Sequence, residues 1–367
     1  MAKTVYIGVG GVARKVKKVY VGVGGVARKV KKAWVGVGGV ARLCFSGGEM
    51  KYYGAITALS TAKTSLASAS IGNYAIFGGG NSTSSVDTYN LSLTRGAAAD
   101  LSDTSSNLAA TTVGNYAVFA GGHGPYSAYR SSVNAFNTAL TRSTPTSLSV
   151  ARSYLAAVSV GDYGIFAGGD NPTRTDTVDA YNASLTRSAP TKLSSAATLS
   201  AKAATVGSYA LIPLHRSFVD TYNPSLTRGS ATELSVARTF GASASVGDYA
   251  LFAGGVASST PSAVVDAYNT SLTRSTPTAL SIGRTELGAA QVGDNALFAG
   301  GVAGSMSGPW SAVCESYDAS LTRSIQTSLS HIKSNPCGGS IGDYAIFAGG
   351  YNTTVGSLSS ADAYVLD

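Results

Sequence analysis

One phrase recurs seven times after residue 50 of this 367-residue chain, and this repeat constrains the fold more than any other feature. The phrase reads "VGDYALFAGG" in one copy, and its seven copies occupy 71–80, 113–122, 160–169, 206–215, 246–255, 292–301 and 341–350. A second phrase, such as "VDAYNASLTR" at 178–187, follows six of these copies. Successive copies start 40 to 49 residues apart, and a period of that length indicates stacked supersecondary units.

Each unit has the pattern of four short strands. In the third unit, Gly-Asp between "AAVSV" and "YGIFAGG" is a two-residue hairpin signal. The second strand is apolar on both faces, since Tyr163 and Ile165 point one way and Phe166 the other, while Gly164 leaves room. A strand buried on both faces suits a sheet stacked between two others. The sequence therefore predicts an all-β fold, a seven-bladed β-propeller.

The two ends of the repeat region complement each other. The C-terminal "ADAYVLD" at 361–367 matches "VDAYNTS" at 265–271, and "KYYGAITALSTAK" at 51–63 matches "LTRSTPTALSIGR" at 272–284. The last unit therefore lacks its outer strand, and we expect residues 51–60 to supply it. Such an exchange hides two sheet edges and ties the ends of the ring together.

Two further expectations concern the blades. In the fourth unit, "VGSYALIPLH" lacks the Gly pair, so we expect a complete but shortened blade in which Pro213 ends the pairing of the second strand early. The acid of "VDAY" and the Arg of "LTR" recur at blade period, and we expect them to pair as a structural set.

The first 48 residues carry a different and shorter repeat. Residues 5–43 repeat one phrase three times with a period of fourteen, as in "VYIGVGGVARKVKK" at 5–18. Residues 1–48 contain no Asp or Glu, whereas 17 of the 27 basic residues and all 19 acidic residues follow them. We therefore divide the chain into a basic segment at 1–48 and a nearly neutral propeller at 49–367.

Each fourteen-residue copy predicts a β-hairpin around its Gly-Gly pair, with Val9 facing Val12 in the first copy. Three hairpins hold too few apolar residues to bury a core, so we expect this segment to dock onto a larger assembly or onto copies of itself. The expected contact residues, which share one place in the three copies, are Tyr6, Tyr20 and Trp34. Nucleic acid is the alternative partner of a basic segment, but the regular Gly and Val pattern favours a sheet.

Two resemblances follow from these phrases. The unit "YALFAGG…VDAYN" resembles the kelch repeat over residues 51–367, although "SLTR" stands where kelch proteins usually have Trp. The fourteen-residue phrase resembles a repeat at the front of tail and baseplate proteins of phages of Gram-positive bacteria and of related tail-like particles. The first resemblance implies a kelch-like propeller, and the second implies attachment to a virion or a tail-like particle.

Side chains suited to catalysis are few. The three His residues, which fall at unrelated positions in different units, are His123, His215 and His331. They do not match the convergent Tyr and His ligands of kelch-like copper oxidases. The three Cys residues, which have no metal-ligand spacing, are Cys44, Cys314 and Cys337. We expect no enzymatic activity, no cofactor and no metal site.

The loop after each Gly-Gly pair differs between units, from "RSF" at 216–218 to "VAGSMSGPWSAV" at 302–313. Because these loops occupy one place in the blade, they emerge on one face of the ring, where binding usually occurs. The aromatic or planar side chains that we expect to bind a partner are His123, Tyr126, Tyr129, Arg130, Trp310 and Tyr351. An alternative stays open, that Tyr126 or Trp310 only packs its own loop.

These features favour a structural component of a phage tail or tail-like particle. Its N-terminus would attach to tail or baseplate proteins, and its propeller would bind a host-surface glycan or protein. An intracellular kelch-type adaptor and a carbohydrate-active enzyme are the alternatives. We expect no membrane span, and synthesis in the host cytoplasm, because the N-terminus lacks the apolar core of a secretory signal.

Overall fold

Seven four-stranded antiparallel sheets form a closed ring, which confirms the predicted seven-bladed propeller. The computed structural model describes residues 6–9, 12–15, 19–23, 26–30, 32–37, 40–46, 49–196, 202–214, 217–305 and 308–366, with side chains from Glu49 onward except Ser127. The first strand of each blade contacts the first strands of both neighbouring blades, and the seventh contacts the first. These strands therefore surround a central channel.

Four strands build each blade from the channel outward. The first strands, from blade one to blade seven, are Ala67–Ile71, Ala109–Val113, Ala156–Val160, Ala204–Val206, Ala242–Val246, Gly288–Val292 and Cys337–Ile341. The second strands are Tyr74–Gly78, Tyr116–Ala120, Tyr163–Ala167, Tyr209–Pro213, Tyr249–Ala253, Asn295–Ala299 and Tyr344–Ala348. The third strands are Val86–Asn90, Val133–Phe136, Val178–Asn182, Val219–Tyr222, Val265–Asn269, Cys314–Asp318 and Ala361–Leu366. The outer strands are Arg95–Ala97, Arg142–Ser143, Arg187–Ser188, Arg228–Ser230, Arg274–Ser275, Arg323–Gln326 and Met50–Ile56.

The loops add only small elements. Two-residue ribbons pair Asp170–Asn171 with Thr173–Arg174, Val256–Ala257 with Thr260–Pro261, Arg284–Thr285 with Val302–Ala303, and Tyr351–Asn352 with Gly356–Ser357. A short 3-10 turn lies at Pro125–Ser127. The described part of the chain thus has no helix with the length and apolarity to cross a membrane.

The predicted strand exchange closes the ring. Strand Met50–Ile56 pairs antiparallel with Ala361–Leu366, and the Tyr52 hydroxyl donates to Asp362 Oδ1 at 2.8 Å. The strand ends before the predicted limit of residue 60, because the chain then turns inward. There the Leu59 N–H donates to the Ser359 carbonyl, and the Leu59 side chain is buried.

The fourth blade is complete, as predicted, but the prediction for Pro213 was only partly right. The second strand still pairs with the third as far as Pro213, which lies opposite Val219. Its pairing with the first strand is the part that stops early, at Leu211 opposite Ala204. Since proline offers no N–H, only one of its two neighbouring strands keeps its full length.

Buried ion pairs fix each blade internally. In the third blade, Asp179 accepts from Arg187 at 2.7 Å, which confirms the predicted pairing of "VDAY" with "LTR". Asp179 also contacts the fully buried Arg152 at 2.9 Å, a partner that the sequence pattern did not reveal. The fully buried acids that are bonded in the same way to a buried cation are Asp87 to Lys63, Asp266 to Arg238, Glu315 to Arg284 and Asp362 to Lys333. These ion pairs fix the internal geometry of the blade, because removing either partner would leave the other as an unpaired buried charge.

The turns at one end of the ring interlock neighbouring blades. The Gly in the turn between first and second strands lies against the turn between third and outer strands of the next blade. Gly114, at φ +52°, leaves 2.9 Å between a built Cβ and the Ala183 Cβ. This position therefore excludes any side chain, both for backbone conformation and for space.

Gly114→Ala is expected to lower the free energy of unfolding by about 2–3 kcal/mol, because it combines left-handed strain with a contact against Ala183. Adding Ala183→Gly should recover only the part of the lost stability that comes from this contact, and the part that comes from backbone strain should remain. Gly356→Ala is the matched control, since Gly356 has φ +83° but nothing within 4 Å. Denaturant unfolding of all three variants measures this, and equal losses in Gly114→Ala and Gly356→Ala would contradict the interlock.

The N-terminal segment contains the three predicted hairpins. Tyr6–Val9 pairs with Val12–Lys15, and Val9 lies opposite Val12 as expected. Val19–Val23 pairs with Val26–Val30, and Lys32–Val37 pairs with Val40–Ser46. The side chains of Tyr6, Tyr20 and Trp34 lie outside the described part, so their predicted contact role stays a prediction.

Candidate functional site

The two ends of the propeller differ in chemistry. One end, which we call the turn face, carries the turns between first and second strands and between third and outer strands. Six of its turns are alike, because an Asn or Asp side chain accepts two backbone N–H groups two and four residues on. These side chains belong to Asn90, Asn137, Asn182, Asn223, Asn269 and Asp318. A face built from repeated turns offers similar chemistry at each blade.

The opposite end, which we call the mouth face, carries the loops after the second strands and the segments that lead into the first strands. Of the thirteen large apolar side chains that are exposed among the described residues, ten lie on this face: Tyr126, Val150, Tyr154, Phe218, Val236, Phe240, Ile282, Ile332, Tyr351 and Val355. The other three are Tyr53 and Ile325 on outer strands and Leu91 in a turn. Apolar exposure concentrated on one face is typical of an interaction surface.

A ring of seven residues, one from each blade, which we call the mouth ring, surrounds the channel at this face. Six of them lie two positions before a first strand and are Ser65, Asn107, Tyr154, Phe240, Glu286 and Asn335. The seventh, Lys202, borders the same cavity from the fourth blade, but it matches the first residue of the other first strands. Six have positive φ values between 48° and 58°, which is uncommon for residues other than glycine. Backbone bonds link neighbours, as from Tyr154 N–H to the Asn107 carbonyl at 2.9 Å.

The mouth ring borders a cavity of about 210 Å³ that continues into a channel space of about 240 Å³. The Tyr154 and Phe240 side chains are 38% and 36% exposed there. The Asn335 amide donates to Glu286 Oε2 at 3.0 Å. Further inside, small side chains such as Ala110, Ala157 and Ala289 form the wall.

At the far end of the channel, hydroxyls tie the blades together. The Thr112 hydroxyl donates to the Ser70 carbonyl at 2.7 Å, and Thr205 donates to Ser159 at 2.8 Å. Ser245 donates to Thr205 at 2.6 Å. Since each bond joins adjacent first strands, the channel wall is a rigid support for the mouth ring.

Two of the predicted binding residues lie beside the mouth ring. The His123 ring lies 6.0 Å from the Tyr154 ring, tilted by 35°. Burial lowers the pKa of His123, so its imidazole is neutral at pH 7. Burial, with nearby Asp170 and Tyr129, raises the pKa of Tyr154 and keeps its hydroxyl protonated. The structure therefore brings His123 and Tyr154 together as uncharged groups, and Tyr129 lies beside them.

The other predicted residues are spread over the same face. Tyr126 is fully exposed at the tip of its loop, with φ +55°, so it does not pack its own loop. Arg130 is partly buried and donates through Nε to the Thr104 carbonyl at 3.3 Å. Trp310 is half-buried, and its indole N–H has no hydrogen-bond partner among the described residues. Tyr351 is 38% exposed. Their role in binding stays a prediction.

The mouth ring itself was not predicted from the sequence. Aligning the units shows Ser, Asn, Tyr, Phe, Glu and Asn at this position in six of them, between a shared Leu-Ser phrase and a shared apolar strand. This variation within otherwise similar repeats was the available signal. It was missed because the position lies in a short connection without glycine or proline.

The described residues include no group of three or more His, Cys, Asp or Glu that could hold a metal ion. Cys314 is buried in the sixth blade, where burial raises the pKa of its thiol to about 12. A thiol of this kind is unreactive near neutral pH.

Comparison with known proteins supports the fold. No family model matches the sequence, and no curated protein matches it either. The structure is similar to that of YjhT, with a TM-score of 0.56 and 11% sequence identity, over 84% of this chain and 96% of that chain. At this identity the likeness shows the propeller fold alone.

Proposed function

We propose that this protein is a non-enzymatic structural component of a phage tail or tail-like particle that binds the host surface with its propeller. The observation that carries the binding role is the contrast between the faces. The turn face repeats one turn, whereas the mouth face differs from blade to blade and exposes ten large apolar side chains. Rigid scaffolds bind partners through the loops that differ.

The assembly role rests on residues 1–48. Their fourteen-residue phrase resembles repeats of phage tail and baseplate proteins, and the three hairpins pair as that phrase predicts. Isolated two-stranded hairpins are marginally stable in water, so a larger partner would complete them. On this proposal the protein is part of a virion or an extracellular tail-like particle.

Substitution of one exposed side chain on each face tests the binding role. Val355→Glu, at a position 68% exposed on the mouth face, is expected to weaken binding to host cells about tenfold or more. Ile325→Glu is the matched control, since Ile325 is 65% exposed on an outer strand. Labelled full-length protein is measured on a panel of Gram-positive bacteria by flow cytometry.

Two outcomes would overturn this proposal. The first is no binding to any bacterium of the panel above that of an unrelated propeller. The second is equal weakening by both substitutions, which would show that the mouth face has no special role.

A further inference from the structure

The mouth cavity has the size of a small ring-shaped ligand. Its volume of about 210 Å³ lies below the range of about 300–1,000 Å³ for drug-sized ligands. The seven blades surround the cavity laterally, since the lining residues come from each of them. An extended peptide needs an open groove, whereas a compact ligand suits this shape.

The mouth ring combines aromatic side chains with charged and uncharged polar ones. Tyr154 and Phe240 offer aromatic surface on the two blades beside that of Lys202. The Glu286 carboxylate and the Asn335 amide, which bond each other, lie on the other side with Asn107 and Ser65. One cation and one anion balance, so the ring has no net charge. Polar groups therefore surround the cavity on its whole perimeter, with flat apolar groups between them.

This combination matches a sugar ring. A pyranose has hydroxyls around its edge, which both donate and accept, and C–H groups on its faces. Amide, carboxylate, ammonium and hydroxyl side chains form hydrogen bonds with the sugar hydroxyls, and aromatic rings cover the C–H groups on the faces of the sugar. A charged ligand would gain less, because attraction by Lys202 is offset by repulsion from Glu286.

The backbone conformation of the mouth ring also indicates that these side chains have a function. Six of the seven residues adopt the left-handed conformation. This conformation costs a residue with a side chain about 1–2 kcal/mol of backbone strain, which glycine would avoid. Backbone bonds between neighbours, such as Asn335 N–H to the Glu286 carbonyl at 2.8 Å, hold this conformation. Strained residues held by a rigid frame occur often at ligand sites.

We infer that the mouth cavity binds one uncharged pyranose unit of a host-surface glycan, between Tyr154 and Phe240 and the polar side chains of Glu286 and Asn335. This inference rests on the proposed function, because it names the chemistry that the mouth face recognises. The loops outside the ring, including Tyr126, would then contact the sugars that follow.

The test uses the full-length protein with methyl glycosides of glucose, galactose and N-acetylglucosamine, by saturation-transfer NMR and calorimetry. At least one is expected to bind, and Tyr154→Ala and Phe240→Ala are each expected to weaken binding about tenfold. Tyr53→Ala is the control, since Tyr53 is 56% exposed on an outer strand, away from the mouth face. Lys202→Ala, at an exposed side chain, provides a second variant that does not disturb packing.

Each outcome is decisive. Absence of binding by all three glycosides, or equal binding by wild type and both aromatic variants, overturns the inference. Periodate oxidation of host cells cleaves vicinal diols and is expected to abolish cell binding. Undiminished binding to oxidised cells, still weakened by Val355→Glu, would overturn the sugar inference while the proposed function stands. Loss of both cell and glycoside binding in wild type would overturn both.

Discussion

A chain that lacks residues 1–56 is expected to lose the folded ring, whereas a chain that lacks residues 1–48 is expected to keep it. The two chains differ by eight residues, and those residues contain the outer strand of the seventh blade. Without that strand, Ala361–Leu366 becomes an unpaired edge and the covalent tie across the closing blade is lost.

The expected loss is large because several contacts disappear together. The strand contributes a ladder with Ala361–Leu366, whose hydrogen bonds contribute about 1 kcal/mol each. Tyr52 donates to the fully buried Asp362, and its ring lies 5.2 Å from the Tyr364 ring. A total loss above about 4 kcal/mol is a large fraction of the usual stability of a domain.

Thermal unfolding by circular dichroism and light scattering will compare the two chains. The shorter one is expected to unfold at a much lower temperature or to aggregate, and the longer one to be a folded monomer. Within the full chain, Tyr52→Ala should destabilise more than Tyr53→Ala, because Tyr53 is 56% exposed. Equal melting of the two truncated chains would show that the ring does not depend on the exchanged strand.

Arg152→Ala is expected to destabilise the propeller by about 3 kcal/mol. Arg152 is fully buried, and its guanidinium lies 2.9 Å from the carboxylate of the equally buried Asp179. It also donates to the carbonyls of Val150 and Phe166. Removal leaves a buried carboxylate with only Arg187 and Ser149 as partners, and breaking one side of a buried pair costs about 3–5 kcal/mol.

The second blade shows how this cost can be avoided. There Ser105 replaces the buried Arg, and Asn134 replaces the Asp. The Ser105 hydroxyl donates to the Gly121 carbonyl at 2.8 Å, and Asn134 Oδ1 accepts from the Ser102 N–H at 2.9 Å. Both members of the pair are thus absent together, and neither charge is left alone.

The double variant Arg152→Ser with Asp179→Asn copies that arrangement into the third blade. We expect it to be more stable than Arg152→Ser alone, because the uncompensated charge is gone. Arg187→Ala is the control and should cost at most about 1 kcal/mol, since Arg187 is 28% exposed. Denaturant unfolding is measured for the wild type, Arg152→Ser, Asp179→Asn, the double variant and Arg187→Ala. A double variant whose loss of stability equals the sum of the two single losses would refute this explanation.

Much of the propeller was predictable because the sequence patterns that specify each blade are local and are repeated along the chain. The seven copies of the repeated phrase predicted the blades, and the matching ends predicted the exchanged strand. The same alignment did not predict that the strand ends at Ile56, since the inward turn depends on the contact of Leu59 with the other end of the chain. Pro213 was partly misjudged because a sequence does not state which of two neighbouring strands uses a given N–H.

The candidate site divides in the same way. The sequence determined that the variable loops share one face, because equal positions in repeated units must lie at equal places in the ring. Only the tertiary structure decided that Tyr154, Lys202 and Phe240, which are separated by 48 and 38 residues in the chain, border one cavity. It also decided that Arg152 lies inside the blade against Asp179. The physical reason for the shared cavity is ring closure, which places distant segments of the chain around one axis. The physical reason for the ion pair is that a charged group is buried only where a partner of opposite charge from another segment is present.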